Sequence, residues 1–498
     1  MDLNPIFYPS TIAVVGVSSK NYHNPGTVVF RKNLLIKGFM DGKVFGINPN
    51  GGKVEGMTLH KRLHDIPIKV DLGVFCVRAK HTVRAIEDAI NLGVKGGIII
   101  SGGFSEVGAS GKNLQEEIVK LSNDNDFPII GPNCVGVYNP GNVNTFFIPS
   151  ERFVVPEANG NVSIVSQSGG ILADQFFAKY LERNIGISKA VSVGNKAVLD
   201  EVDMLEYFTT DPETEVIGFY LEGFAKKRGK AFLDMSRQTN KTILMLKGGK
   251  TEKGMKAALS HTSAVSGENK ILEGALKQYG IILCANEQEL ITFSETFSLL
   301  SGKNKPFFSK EMQGTIVIIT ISGGHGVLSS DMVKDYNLKM VELTESEKEE
   351  LRGCLNPSAS GIASLGNPID LTGSVTDDDV VNVLDWFMKT DKVDIILLLI
   401  LPYPPGITIN LGSRIASVVR MYRKPVICYL PWLARYQMII EPLNETHIPV
   451  GNSIEEALLM AHAVNLKSKA LERTRFNKML DTESEIVEDY DNLKKRRH

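Results

Sequence analysis

"NVSIVSQSGG", residues 161–170, sets an apolar run of β-branched side chains against a turn made only of serine, glutamine and glycine. A short greasy run that stops at small residues reads as a buried strand opening onto the start of a helix. The pattern recurs at "TIVIITISGGHG", residues 315–326. Both copies read strand–Ser/Thr–x–Ser–Gly–Gly, which suggests an internal structural repeat. A related pattern, "TIAVVGVSS", stands near the amino terminus at residues 11–19.

Short apolar runs alternate with helix-period segments along the chain, as βα units and parallel sheets require. The first block has strand candidates at "TIAVVGV", "KVFGIN", "LGVFCV", "GGIIIS" and "FPIIG", with a helix expected from Thr82 to Leu92. A break follows at "YNPGNVNTFFIPSERFVVPEANG", rich in Pro, Gly and Asn. The second block runs through "NVSIVS", "ISKAVSV", "VIGFYLE", "TILMLKGG" and "GIILC". After the linker "SGKNKPFFSKEMQG" the third runs through "TIVIITIS", "VDIILLLIL", "KPVICYL" and "IPVG". The expected fold is α/β, with three doubly wound domains at 1–145, 155–303 and 312–470 and a charged tail over 471–498, a surface helix that frays.

Composition bounds the function. The 498 residues are 43% hydrophobic and 22% charged, with a net charge of −2, an ordinary globular balance. That charge argues against a nucleic-acid footprint or a polybasic membrane surface. Five scattered cysteines without a C-x-x-C pair fit a reduced cytosol and give no zinc signature. The longest greasy stretch, from Ile395, is too short to span a bilayer and reads as a buried strand. No signal peptide is evident, so a soluble cytoplasmic protein is expected, with no metal site of its own.

The turn after the first strand, "VVGVSSKNYHNPG", uses Gly16 to bend tightly and exposes backbone N–H groups suited to an anion. Ser18 stands where a dinucleotide fingerprint would have its second glycine, which weakens a nicotinamide reading. "INPN" (47–50), "CVRA" (76–79), "SGGFSEVG" (101–108) and "GPNCVG" (131–136) follow strands of the same sheet. Together they would line one carboxyl edge, where ligands of such sheets bind. Ser166, Ser168 and Gly169 in the second block, and Gly323, Gly324 and Gly326 in the third, would offer two further anion sites.

"AALSHTSAVSG", residues 257–267, surrounds His261 with small and hydroxyl residues, leaving its ring exposed on a loop. No second histidine or cysteine stands at metal-ligand spacing, and no G-x-S-x-G supports a serine hydrolase. A nucleophilic histidine accepting a phosphoryl group fits better. Glu222, at the strand end of "FYLEGF", is the candidate anion to hold its other ring nitrogen.

These residues together resemble the nucleoside-diphosphate-forming acyl-CoA synthetases, over roughly residues 5 to 465. "SHTSAVSG" is similar to the family's phosphohistidine loop, which implies His261 as phosphoryl carrier. "YLEG" matches the strand of the acidic partner, hence Glu222. "SQSGG" and "SGGHGV" match the two phosphate-holding helix starts, implying Ser166, Gln167, Ser168, Gly169, Gly323 and Gly324. "GPNCVGVYNP" and "GNPIDLTG" are also characteristic of it. The resemblance implies a Rossmann-like CoA-binding domain followed by two flavodoxin-like ligase domains. Coenzyme A would then meet Gly16, Ser18, Lys20, Asn48, Pro49, Val77, Arg78, Ser101, Gly102, Asn133 and Cys134.

The implied reaction interconverts acyl-CoA, ADP and phosphate with a carboxylic acid, CoA and ATP, through acyl phosphate and phosphohistidine. ADP or ATP with Mg²⁺ belongs to an ATP-grasp module. All three blocks here are assigned, so that module is expected on a separate β subunit of a hetero-oligomer. Ser263 stands where the family usually has glycine, and His325 where it has a small residue. The rival reading, a non-catalytic CoA-binding regulatory protein, would need neither His261 nor Glu222.

Overall fold

Five short parallel strands build the first sheet of the computed structural model, which describes residues 1–39, 43–155, 159–261, 269–302, 305–306 and 311–495. They are β1 (Ile12–Val15), β2 (Val44–Ile47), β3 (Leu72–Phe75), β4 (Gly96–Ile99) and β5 (Ile129–Ile130), in spatial order β2-β1-β3-β4-β5. Side chains alternate across a strand, and both faces here are covered, as a parallel sheet requires. Ala13, Phe75, Ile99 and Ile129 pack with Ile86, Ala89 and Ile118 of helices Ala79–Asn91 and Ala109–Asp124. Ile12, Val14, Val74 and Ile98 join the opposite cluster, with Val29 and Phe30 of helix Pro25–Leu34. That helix starts where Asn24 accepts the Thr27 N–H and Pro25 fills the first turn, where no donor is needed.

The second sheet has seven strands. An antiparallel hairpin, β6 (Val137–Asn139) and β7 (Val143–Asn144), lies at one edge. The parallel strands are β8 (Asn159–Ser166), β9 (Ile187–Ser192), β10 (Val216–Leu221), β11 (Thr242–Lys247) and β12 (Ile282–Cys284). Their spatial order is β12-β11-β10-β8-β9-β6-β7, with β6 antiparallel to β9. Val137 and Val143 share one buried cluster with Val14 of the first sheet and Val165 and Val191 of the second. Both sheets therefore belong to one compact unit, Met1–Ile291.

The second unit, Thr292–His498, holds β13 (Thr315–Thr320), β14 (Lys339–Met340), β15 (Ile369–Asp370), β16 (Ile395–Leu399), β17 (Val426–Tyr429) and β18 (Val450–Gly451). The order is β14-β13-β16-β17-β18, with β15 pairing the end of β13. The run from Ile395 is the buried parallel strand its sequence suggests, at most 1% exposed through Leu399.

Three local readings change. The Pro/Gly-rich break from Tyr138 opens inside the β6–β7 hairpin, turned at Pro140 and Gly141, which adds two strands to the second sheet. Ala257 to His261 are not loop but the last turns of helix Glu252–His261; Thr262 to Glu268, including Ser263, lie outside the described residues. The charged carboxyl-terminal segment is helical through Lys495, in one helix with Ile454 rather than a frayed tail.

Candidate active site

In an open parallel sheet a crevice forms where the strand order reverses, because the crossovers there leave on opposite faces. In the first sheet that point lies between β1 and β3, and the glycine turn after β1 occupies it. Gly16 has φ +103°, and an added Cβ would lie 2.4 Å from the Cys76 carbonyl oxygen. Only glycine fits there without displacing the chain. Ser18 N–H donates to Thr27 Oγ1 at 2.8 Å, and Asn48 Nδ2 donates to the Val17 carbonyl at 2.7 Å. Gly16, Ser18, Asn48 and Val77 are thereby gathered around one crevice.

Further along the same edge, Ser101 accepts the Asn133 N–H at 3.0 Å, and Gly102 lies against the Asn133 side chain. Lys20, Pro49 and Arg78 are exposed at the edge. Cys134 is turned the other way: its side chain is buried and its thiol donates to the Ile99 carbonyl at 3.3 Å. Burial lifts that thiol well above the usual range. Only the backbone of Cys134 can serve a ligand.

The second sheet reverses between β8 and β10, and there the sequence motifs meet. Gln167 N–H donates to the Tyr220 carbonyl at 2.9 Å, while its side-chain Oε1 accepts the N–H of Glu222 at 2.9 Å. Ser166 Oγ donates to the Ser168 carbonyl, and Ser168 Oγ caps Ile171 at 3.4 Å. The helical run that follows, Gly169 to Glu182, is wound wider as π turns over Leu172–Phe177.

Glu222 is half-buried at the end of β10. Its Oε1 accepts from Tyr220 Oη at 3.5 Å, and among the described residues its buried Oε2 has no partner. Burial first, then the Glu222 charge, pushes the Tyr220 phenol up to about 12. Lys247 Nζ donates to the Glu222 carbonyl at 2.7 Å and to the Gly248 carbonyl, and burial lowers its ammonium pKa. A Cβ on Gly248 would lie 3.3 Å from Glu222 Cγ. The chain leading from β11 to the His261 helix therefore passes directly over Glu222. A buried carboxylate oxygen with nothing to accept from is costly unless a donor completes it.

The third turn repeats the second. Thr320 Oγ1 donates to the Ser322 carbonyl at 2.9 Å, as Ser166 does to Ser168. Ser322 Oγ meets His325 Nδ1 at 3.1 Å rather than capping helix Gly323–Val333, so the first N–H groups there carry no side-chain cap. His325 packs its ring against Tyr429, 5.7 Å between centroids. Asp370 approaches the same turn: a Cβ on Gly323 would lie 3.0 Å from its Oδ2.

Motif reading missed Tyr220, Lys247, Lys196 and Glu201. Lys196 and Glu201 form a buried ion pair at 2.8 Å beside Gly223. The one signal in the sequence was a lysine ending an otherwise apolar strand, "TILMLK". Among the described residues no cluster of three or more His, Cys, Asp or Glu is arranged to hold a metal ion, and no helix is long and apolar enough to cross a membrane.

Doubly wound sheets with glycine-lined turns at their reversal points, one beside a carboxylate oxygen with no partner among the described residues, define an α/β protein of the kind whose turns suit phosphate-bearing ligands. Residues 10–140 match the CoA binding domain, 159–297 the succinyl-CoA ligase like flavodoxin domain, and 316–441 the ligase-CoA domain. The chain is 32% identical over 478 residues to the α subunit of Pyrococcus furiosus ADP-forming acetate–CoA ligase II, covering 94% of this chain and 98% of that one. It is 38% identical over 379 residues to the ADP-forming acetate–CoA ligase of Methanocaldococcus jannaschii, covering 75% of this chain but only 50% of that longer protein. A solved structure titled dinucleotide forming acetyl-coenzyme A synthetase 1, from Ca. Korarchaeum cryptofilum with phosphate and ADP, superposes with a TM-score of 0.82. It is 32% identical and covers 96% of this chain and 99% of that one.

The chain belongs to the ADP-forming acyl-CoA synthetase family and is similar over nearly its whole length to the α subunits of ADP-forming acetate–CoA ligases. It is an acid–thiol ligase.

Proposed function

We propose that the protein is the α subunit of an ADP-forming acyl-CoA synthetase that works through a phosphorylated His261. Coenzyme A sits on the first domain, residues 1–145, at the edge from Gly16 to Asn133. Residues 155–303 carry the phosphohistidine segment, and 312–470 form the second ligase domain. Phosphate attacks the acyl-CoA carbonyl, giving acyl phosphate and the CoA thiol. A ring nitrogen of His261 then attacks phosphorus, and the carboxylate leaves. The phosphoryl group passes on to ADP, held with Mg²⁺ by an ATP-grasp β subunit on a separate chain. All steps are reversible. Five free thiols support a cytoplasmic setting.

The observation that carries this reading is Glu222. One oxygen is held by Tyr220, and the other is buried with no partner among the described residues, beside the turn that leads to the His261 helix. A carboxylate on one imidazole nitrogen fixes the tautomer and stabilises the cation formed as the other nitrogen attacks. The neutral serine and glycine turn at Ser166–Gly169 suits a phosphate that must be released as well as bound, and the turn at Gly323–Gly324 has the same character in the second unit.

The test is self-phosphorylation. Given labelled phosphate and a panel of short acyl-CoA thioesters, the chain together with its β subunit should take label on His261 without nucleotide. The label should be acid-labile and base-stable, and absent from His261→Ala. Label that persists in His261→Ala would overturn the mechanism.

A further inference from the structure

Between the CoA edge and Glu222 runs a chain of short polar contacts, all within the first unit. On the CoA edge the loop after β4 folds back on Glu106. The N–H groups of Gly103 and Phe104 donate to Glu106 Oε1 at 2.6 and 3.2 Å. Burial alone would raise this carboxyl; the Asn195 amide and the two backbone donors outweigh it and hold it below the usual carboxylate range. Its second oxygen, Oε2, accepts from Asn195 Nδ2 at 2.6 Å.

Asn195 belongs to the loop after β9. Gly194 there has φ +54°, and an added Cβ would lie 2.3 Å from the Pro132 carbonyl oxygen. Asn195 N–H donates to that same carbonyl at 2.9 Å. The next residue, Lys196, also takes a left-handed backbone (φ +54°) and turns its side chain inward. Its Nζ donates to Glu201 Oε2 at 2.8 Å and to the carbonyl of Gly223, the residue after Glu222, at 2.6 Å. Glu201 Oε1 accepts the Ala225 N–H at 2.6 Å. The side chains of Lys196 and Glu201 are 5% and 0% exposed.

A buried ion pair adds little over apolar side chains of the same shape, so its value lies in what it fixes in place. Here it fixes Gly223 to Ala225, and with them the direction in which Glu222 leaves β10. Left-handed backbone at Gly194 and Lys196, on either side of Asn195, constrains the loop that joins the two ends of this path.

We infer that Glu106, Asn195 and Lys196 are positioning residues that couple occupancy of the CoA edge to the setting of Glu222. The inference rests on the functional reading above and adds regulation within it. Coupling of this kind is reciprocal: if phosphorylation of His261 changes affinity for CoA by some factor, CoA changes the phosphorylation equilibrium by the same factor.

The experiment uses the full chain and CoA itself. One portion is phosphorylated chemically with phosphoramidate, with His261→Ala as the blank, and CoA affinity is measured by calorimetry on both forms. In the unaltered protein the two dissociation constants should differ at least about fivefold, the lower end of ordinary allosteric coupling. In Asn195→Ala the ratio should fall to within about twofold of one, with CoA still bound and His261 still phosphorylated. Lys196→Met should do the same from the other end of the path. A ratio of one in the unaltered protein, or an undiminished ratio in Asn195→Ala, would overturn the inference. So would joint loss of CoA binding and phosphorylation in both variants, which marks a purely structural loop. If the unaltered protein neither binds CoA nor accepts phosphate on His261, the functional reading itself fails, and the two failures are told apart by that first measurement.

Discussion

Glu222 and Gly16 show how much a single position decides. Replacing Glu222 by glutamine keeps the shape at the end of β10 but removes the charge proposed to support the His261 imidazole. Loss of one preorganised electrostatic group typically costs about 100-fold in rate. Phosphohistidine formation in Glu222→Gln should fall by about that factor while CoA affinity stays level, checked by quench-flow labelling beside calorimetry. Gly16→Ala should do the reverse. Its backbone at φ +103° and the 2.4 Å approach to Cys76 leave no room for a methyl group. Strain of roughly 1–3 kcal/mol is expected, with CoA affinity reduced more than any effect on chemical phosphorylation of His261. The place of Glu222 just past a buried strand was legible in the sequence, because the apolar run "VIGFYL" stops at it. Lys196 was not: nothing in "VGNKAV" reveals that its side chain turns inward, since a left-handed lysine has no sequence mark. Cys134 was legible as part of a loop, but the inward rotation of its thiol depends on the Ile99 carbonyl one strand away.

Strands were readable wherever an apolar run was long enough to show itself, as at β8, β13 and β16. Ile369–Asp370 is two residues long, and no period can be seen in so short a run. Its place follows from pairing with the end of β13, a contact between distant parts of the chain. Strand β9 carries a feature that apolar patterning alone would hide. Lys189, with its side chain 0% exposed, donates to Asp211 and Glu213 at 2.8 Å each. Burial alone would lower its ammonium pKa, but those two carboxylates outweigh burial and hold it above the ordinary value. A lysine pKa raised by folding stabilises the fold fully below its unfolded value of about 10.4. The contribution is lost as pH rises through the folded value. Lys189→Met should therefore cost about 3–5 kcal/mol at neutral pH, because Asp211 is left buried and unpaired. Urea unfolding at pH 8 and pH 11 should show the gap between the two proteins narrowing at the higher pH.

At the scale of the whole chain, the three-sheet plan was legible and the chemistry it serves divides unevenly. The CoA edge, Glu222 and the His261 helix all lie within Met1–Ile291. Label from ATP should reach His261 only when an ATP-grasp chain is added, whereas label from acyl-CoA and phosphate should need no nucleotide. ATP labelling of the purified chain alone, followed by phosphohistidine analysis, checks this; a signal there would refute the two-chain arrangement. Saturating CoA should also stabilise the first unit: at a hundredfold excess over Kd the linkage is about 2.7 kcal/mol. Hydrogen exchange should report it as slower opening in β1 and β3.

The antiparallel hairpin at residues 137–144 has a practical bearing on any attempt to recombine these modules. A splice made by eye would cut at the Pro-rich connection near residue 150, which looks like free rope between two bodies. Such a cut would leave β6 on the amino-terminal fragment and strip the neighbour of β9 from the carboxyl-terminal one, exposing a row of unpaired backbone groups. The transplantable piece instead begins before Val137. Chimeras of relatives joined there should stay in solution, while those joined at 150 should self-associate through the bared edge.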